Sequence, residues 1–255
     1  MTELRQRATA ILELAGIETP VVGVYDAPHT LPFAPLVLAR RCIFSSYENW
    51  QKGHCVLVNR ESEGCRGAVY WLCGIEATSK EKMRHFYSQR KGLKATAELM
   101  ENWLEDHPPH EPQESHLIVG PLKEGQDRYL KTITLYVNPD QLSLLLTGCE
   151  YENGPADAQP IISSFGSGCG QLAALFKDLN VPQAIIGSTD ILMREHLPPE
   201  VMALTVTKPM FEQLCSFGEN SSLFRPFWST LRNKRSEQAV NGFGENPEQK
   251  YTEKI

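Results

Sequence analysis

Two short segments place a thiol beside glycines where an apolar strand-like run gives way to a helix-like one: Gly64-Cys65-Arg66-Gly67 and Gly166-Ser167-Gly168-Cys169-Gly170. Glycine permits close backbone approach or a positive φ, and the first turn of a helix presents N–H groups that have no partner within it. An anion is favoured there, so a thiol at either helix start is expected to ionise easily and to suit nucleophilic attack or a soft metal. The same N–H groups bind phosphates and carboxylates without the sulfur. Gly64, Cys65, Gly67, Gly168, Cys169 and Gly170 are therefore the candidate ligand-binding residues. Cys42 and Cys149, each late in an expected helix, complete a candidate metal set with Cys65 and Cys169. A further reading is packing alone, since a small buried thiol fits where a strand turns tightly into a helix. Cys55, Cys73 and Cys215, inside apolar runs, are read that way.

Other chemistries lack their residues. No Gly-Lys-Ser/Thr follows either glycine cluster, as a phosphate loop requires. The second cluster has glycine, Gly168, where a nucleophile elbow places serine. No CxxC and no zinc-finger spacing of Cys and His occurs, so a metal site would have to be assembled by the fold. His85, His107, His110, His116 and His196 fall on polar or loop segments and are read as solvated. Tyr70 and Trp71, just after the first cluster, are read as core.

Apolar periodicity gives the elements that must position these residues. Thr2 to Leu14 has a helical period, Val21 to Tyr25 reads as a buried strand, and Phe33 to Trp50 as a helix. His54 to Asn59 is a strand leading to the first glycine cluster and the run Ala68 to Leu72. Residues 80 to 106 are charged and helix-prone, broken at Gly92 and stopped by His107-Pro108-Pro109. Two strands follow, His116 to Leu122 and Tyr129 to Val137, then a helix opened by Asn138-Pro139-Asp140. Pro160 to Phe165 is a strand before the second cluster, and Gln183 to Gly187 another. Pro198-Pro199 ends a short helix, and further helices cover Met210 to Cys215 and Phe224 to Leu231.

The fold class expected from this order is α/β, a mixed sheet with helices packed on it. Residues 1–235 form one domain and 236–255 a disordered tail. Two related halves, 20–75 and 128–180, are suggested by the repeated order of strand, helix ending near a cysteine, strand, and glycine-flanked cysteine. The chain of 255 residues is 41% hydrophobic and 22% charged, which suits a globular core. Its net charge of −6 argues against a nucleic-acid partner. No secretory signal and no membrane-length apolar run is visible, so a cytoplasmic location is expected, with no membrane partner. Seven cysteines, an odd number in a chain of this size, argue against structural disulfides.

With these residues assembled, the chain resembles the bacterial and archaeal family called domain of unknown function 169, over roughly residues 15 to 218. The resemblance rests on Cys42, Gly64-Cys65-Arg66-Gly67-Ala68, Val119-Gly120-Pro121-Leu122, Val137-Asn138-Pro139-Asp140-Gln141, Cys169 and Pro198. The family implies no activity; its cysteines invite an iron-sulfur or other metal reading. Its pattern often carries a further cysteine before a Gly-x-basic segment, where this chain has Ile186-Gly187-Ser188-Thr189-Asp190. The function expected is binding of a small molecule or metal, an iron-sulfur cluster included, at the glycine–cysteine helix starts. The alternatives are an enzyme with a cysteine nucleophile and a non-catalytic scaffold whose cysteines only pack.

Overall fold

The strand expected after Thr19-Pro20 lies at the centre of the molecule. The computed structural model describes residues 3–28, 35–62, 64, 66–75, 79–123, 125–152, 160–162 and 168–241. Helix α1 (Glu3–Ala15) precedes β1 (Val22–Tyr25). Next come β2 (Leu36–Leu38), a 3-10 turn (Ile43–Ser46) running into α2 (Tyr47–Gln51), and β3 (Cys55–Val58). Helices α3 (Arg66–Cys73), α4 (Lys80–His85) and α5 (Ala97–Asp106) lead to β4 (Leu117–Pro121). Helix α4 continues into a π-helical turn, Phe86–Arg90. The second part runs β5 (Leu130–Val137), α6 (Pro139–Glu150), β6 (Ile161–Ile162), α7 (Gly168–Phe176) and β7 (Ala184–Gly187). A 3-10 turn (Ile191–His196), β8 (Met202–Thr207), α8 (Lys208–Ser216) and α9 (Pro226–Asn241) complete it.

The eight strands form one mixed sheet in the order β2-β3-β4-β1-β5-β8-β7-β6. Only the outermost pairs, β2 with β3 and β6 with β7, are parallel. Read outward from the centre, the order is β1, β4, β3, β2 on one side and β5, β8, β7, β6 on the other. The strands β1 to β4 thus occupy the places of β5 to β8 in the same chain order, about the antiparallel β1–β5 pair. This correspondence joins different segments from the expected 20–75 and 128–180. Cys42, which follows β2, holds the place of Cys169, which follows β6, whereas Cys65 follows β3.

Alternation along the strands divides the interior into two cores. Val22, Val24, Leu117, Val119 and Tyr136 face α3, α7 and the segment 43–50. Tyr25, Ile118, Ile133, Leu135, Leu204 and Val206 face α1, α6, α8 and Trp228 of α9. Each such side chain, once buried, contributes about 1.5–3 kcal/mol, so helix layers on both faces are what make a sheet with so few polar strand positions stable.

Two of the motifs that carry the family resemblance have direct structural causes. Asn138 and Gln141 form a reciprocal capping box at the start of α6, each side chain bonding the other's backbone N–H at 2.9 Å and 2.9 Å. The Gln141 amide also donates to Gly16 O at 2.6 Å, tying α6 to the end of α1. Gly120 faces the Cys55 side chain on the neighbouring strand, so that any Cβ at 120 would overlap that thiol.

The structure departs from the sequence expectations in several places. The helix expected over Phe33 to Trp50 is instead a strand, β2, followed by helical turns from Ile43 onward; residues 29–34 lie outside the described residues. Ile43, Phe44, Tyr47 and Trp50 do have helical spacing and are buried, but Leu36-Val37-Leu38 is drawn into parallel pairing with β3. Strand β8 went unread because small Ala203 and polar Thr205 and Thr207 break its apolar run. Helix α9 runs through Asn241, so residues 236–241 of the expected tail are helical. It is held by the Trp228 indole N–H donating to Leu14 O at 2.8 Å and by Arg235 forking onto Asp140 at 2.7 and 3.1 Å. The remainder of the expected tail lies outside the described residues. Among the described residues no helix is long and apolar enough to cross a membrane.

Candidate functional site

Strand β3 ends at Val58, and the chain turns past Gly64 into α3. Gly64 sits so close to the Arg40 carbonyl oxygen that a Cβ there would overlap it. This close approach, one of the two uses of glycine anticipated at this turn, sets the start of α3 against the segment that leads to Cys42. Cys65 itself lies outside the described residues. In the first turn of α3, a Cβ on Gly67 would stand 4.0 Å from Cys169 Sγ, 3.9 Å from the Tyr87 hydroxyl and 4.0 Å from Trp71 Cδ1. Helices α3 and α7 therefore meet at their starts, and the Trp71 indole N–H donates to the Tyr87 hydroxyl at 3.5 Å.

The other expected site residues fall as follows. Gly168, Cys169 and Gly170 are all buried. Gly168 is covered by the Phe44 ring, which a Cβ would overlap, with Met193 Sδ at 3.0 Å, so this glycine serves the contact of α7 with the segment after β2 and with the turn after β7. Cys42 is partly buried against the same core as Cys169. Cys149 lies across the sheet in the other core. Among the described residues, the sheet thus separates Cys149 from Cys42 and Cys169. Burial, with Glu150 adding to it, pushes the Cys149 thiol up to about 12. The Cys215 thiol, in the same core, is likewise pushed up to about 12, chiefly by burial. Cys55 is raised by burial, against a smaller opposing effect of Lys123. Cys73, buried on α3, donates to Val58 O at 3.3 Å. Among the described residues no group of three or more His, Cys, Asp or Glu side chains is placed to hold a metal ion.

Beside the Gly67–Cys169 contact a cleft of about 860 Å³ opens between the start of α3 and the α4–π-turn segment. Gly64 and Gly67 form one side, and Met83 and Tyr87 line it as buried side chains. Among the described residues, Arg66, Lys82, His85 and Arg90 stand around it with one carboxylate, that of Glu81. Phe86, 39% exposed, supplies an apolar surface at the rim. The cleft lies past the carboxyl end of β3 and next to the N-terminal turn of α3. It is a local concentration of positive charge on a chain whose net charge is −6. A π-turn in a helix is itself uncommon and frequently found at functional sites.

Reading the sequence missed this wall. Residues 80 to 91 carry six basic side chains with Phe86 and Tyr87 among them, a basic–aromatic interleaving that was the available signal. The histidines expected in solvent are not all there. His116 is buried, and its ring nitrogens bond Glu114 O at 2.7 Å and Ala27 O at 2.9 Å. The His110 ring packs at a tilt against Phe176, with centroids 4.6 Å apart, and lies 3.9 Å from the buried Asp26 carboxylate, which also faces Lys131 at 3.9 Å. Burial lowers the His110 pKa below its ordinary 6.5, with Asp26 and Glu111 opposing and Lys131 reinforcing the shift.

No curated protein and no solved structure matches the chain. The family model described as "Uncharacterised ArCR", domain of unknown function 169, matches residues 10–216, a span that contains the central sheet, both glycine–cysteine segments and the cleft. The chain belongs to the domain of unknown function 169 family.

Proposed function

We propose that the protein binds a small organic anion in the cleft at the start of α3. The observation that carries this reading is the lining: four basic side chains, Arg66, Lys82, His85 and Arg90, around a space of about 860 Å³ that also has glycine backbone and aromatic surface. The volume falls in the range of small-molecule sites. Arg66 and Arg90 offer the planar fork that recognises a carboxylate or phosphate with two hydrogen bonds. Gly64 and Gly67 line the cleft beside the first N–H groups of α3, which favour an anion. Phe86, Met83 and Tyr87 give an apolar body somewhere to lie.

The recognition chemistry is thus an anionic head with a flat or apolar remainder, and phenyl phosphate is a suitable probe. A crystal structure of the protein with phenyl phosphate tests it. The expected result is the phosphate within hydrogen-bond distance of Arg66 or Arg90 and the ring against Phe86; a probe bound elsewhere, or not at all at millimolar concentration, overturns the reading.

A further inference from the structure

The wall of the cleft is tied to the second half of the chain by a buried ion pair. Lys91 follows the π-turn directly, its N–H donating to Phe86 O at 2.9 Å, and its ammonium lies 2.7 Å from the Asp190 carboxylate. The side chains are 11% and 7% exposed. The Lys91 ammonium also lies 5.4 Å and 5.6 Å from the ring centroids of Phe86 and Tyr87, two residues that line the cleft. On the other side, Asp190 is held in the turn after β7. Ser188 there adopts a left-handed φ of 62°, with its hydroxyl buried and, among the described residues, without a hydrogen-bond partner. Thr189 accepts from the Gln171 amide of α7 at 2.8 Å, and Asp190 O accepts from Met193 N at 3.0 Å.

A buried ion pair is a poor source of net stability, because desolvation offsets its attraction, but either charge left alone inside is strongly unfavourable. Such a pair therefore dictates position. A left-handed serine at the same turn is a second feature that stability alone does not select.

We infer that Lys91 and Asp190 are positioning residues for the cleft: their pair fixes the π-turn, and with it Phe86, Tyr87 and Arg90, at the distance from α3 at which a small organic anion is gripped. The inference rests on the proposed anion-binding function. It differs from a purely electrostatic role in sign. Removing the Asp190 charge would unmask Lys91 and strengthen anion binding if charge alone mattered; it weakens binding if the pair sets the wall.

The test compares the full chain with Asp190→Asn, with the apolar pair Lys91→Met/Asp190→Leu as a second variant that leaves no lone buried charge, and with the reversal Lys91→Asp/Asp190→Lys. Phenyl phosphate affinity and amide hydrogen exchange of residues 86–92 are measured for each. The expected result is affinity about tenfold weaker in the first two variants, as when a supporting contact of a binding site is loosened, faster exchange in 86–92, and recovery of both in the reversed pair. Unchanged or tighter binding in Asp190→Asn overturns the inference while leaving the cleft reading intact. Should the unaltered protein bind no phenyl phosphate, the cleft reading falls. The anion-gripping role of the pair falls with it, and exchange in 86–92 then tests only whether the pair fixes the π-turn: unchanged exchange in the variants overturns that as well.

Discussion

The Cys169 sulfur lies 4.0 Å from the point where a Cβ on Gly67 would stand, so the starts of α7 and α3 touch through a thiol on one and a bare backbone on the other. This contact joins the two glycine–cysteine segments that stand out in the sequence. It also explains why the cleft opens beside α3: Gly168 and Cys169 are taken up in packing, under Phe44 and against Gly67, while Gly64 and Gly67 border open space.

Three glycine-to-alanine substitutions separate these roles. Gly67→Ala places its methyl at ordinary van der Waals distances and is expected to change stability by less than about 0.5 kcal/mol. Gly64→Ala and Gly168→Ala drive a methyl into the Arg40 carbonyl and the Phe44 ring, and each is expected to cost about 1–3 kcal/mol as an overpacked site. Urea unfolding midpoints measure the difference. Equal losses at all three positions would contradict the assignment.

The buried thiols set an alkaline limit. Cys149 and Cys215 ionise near 12 in the fold and near 8.5 when unfolded, so the folded state favours the neutral form. Their contribution to stability is complete below the unfolded value and is lost as pH rises toward 12, at up to about 1.4 kcal/mol per pH unit for each thiol. Unfolding followed from pH 8 to 11 should show a steepening fall that Cys149→Ala and Cys215→Ala flatten. Alkylation of the native protein at pH 8 should label the partly buried Cys42 before either of them.

His110 works in the opposite direction. Burial beside Phe176 depresses its pKa, so the stability tied to its neutral form is complete above about 6.5 and is lost as pH falls from there through the folded value. His110→Gln should flatten the decline in melting temperature between pH 7 and 5. An unchanged acid limb in that variant would show that His110 does not set it.

Much of the fold was legible because the strands and helices that face both cores keep regular apolar spacing. Val21 to Tyr25, His54 to Asn59 and Tyr129 to Val137 announced themselves by β-branched runs, and Asn138-Pro139-Asp140 by its capping chemistry. The segment 33–50 misled because the side chains at 43, 44, 47 and 50 have helical spacing while the backbone before them is claimed by β3, a pairing between residues distant in sequence. The same limit applied to the site. Glycines 64 and 168 marked close approaches, as their type suggested, but what approaches them, Arg40 and Phe44, is decided by the packing of separate segments. Cys149 shares a motif with Cys42 and lies across the sheet from it, because a repeated pattern does not state which face of the sheet a helix will cover. The basic and aromatic residues of 80–91 became a cleft wall only once α4 was laid against α3.

Anion binding in the cleft is tested by the dissociation constant of phenyl phosphate for the full chain and for Arg66→Ala/Arg90→Ala, measured by calorimetry at two salt concentrations. Saturable binding that weakens with added salt, as exposed cations dictate, and that falls at least tenfold in the double variant is the predicted result. Equal affinity in the two proteins, or no binding by either, would contradict it.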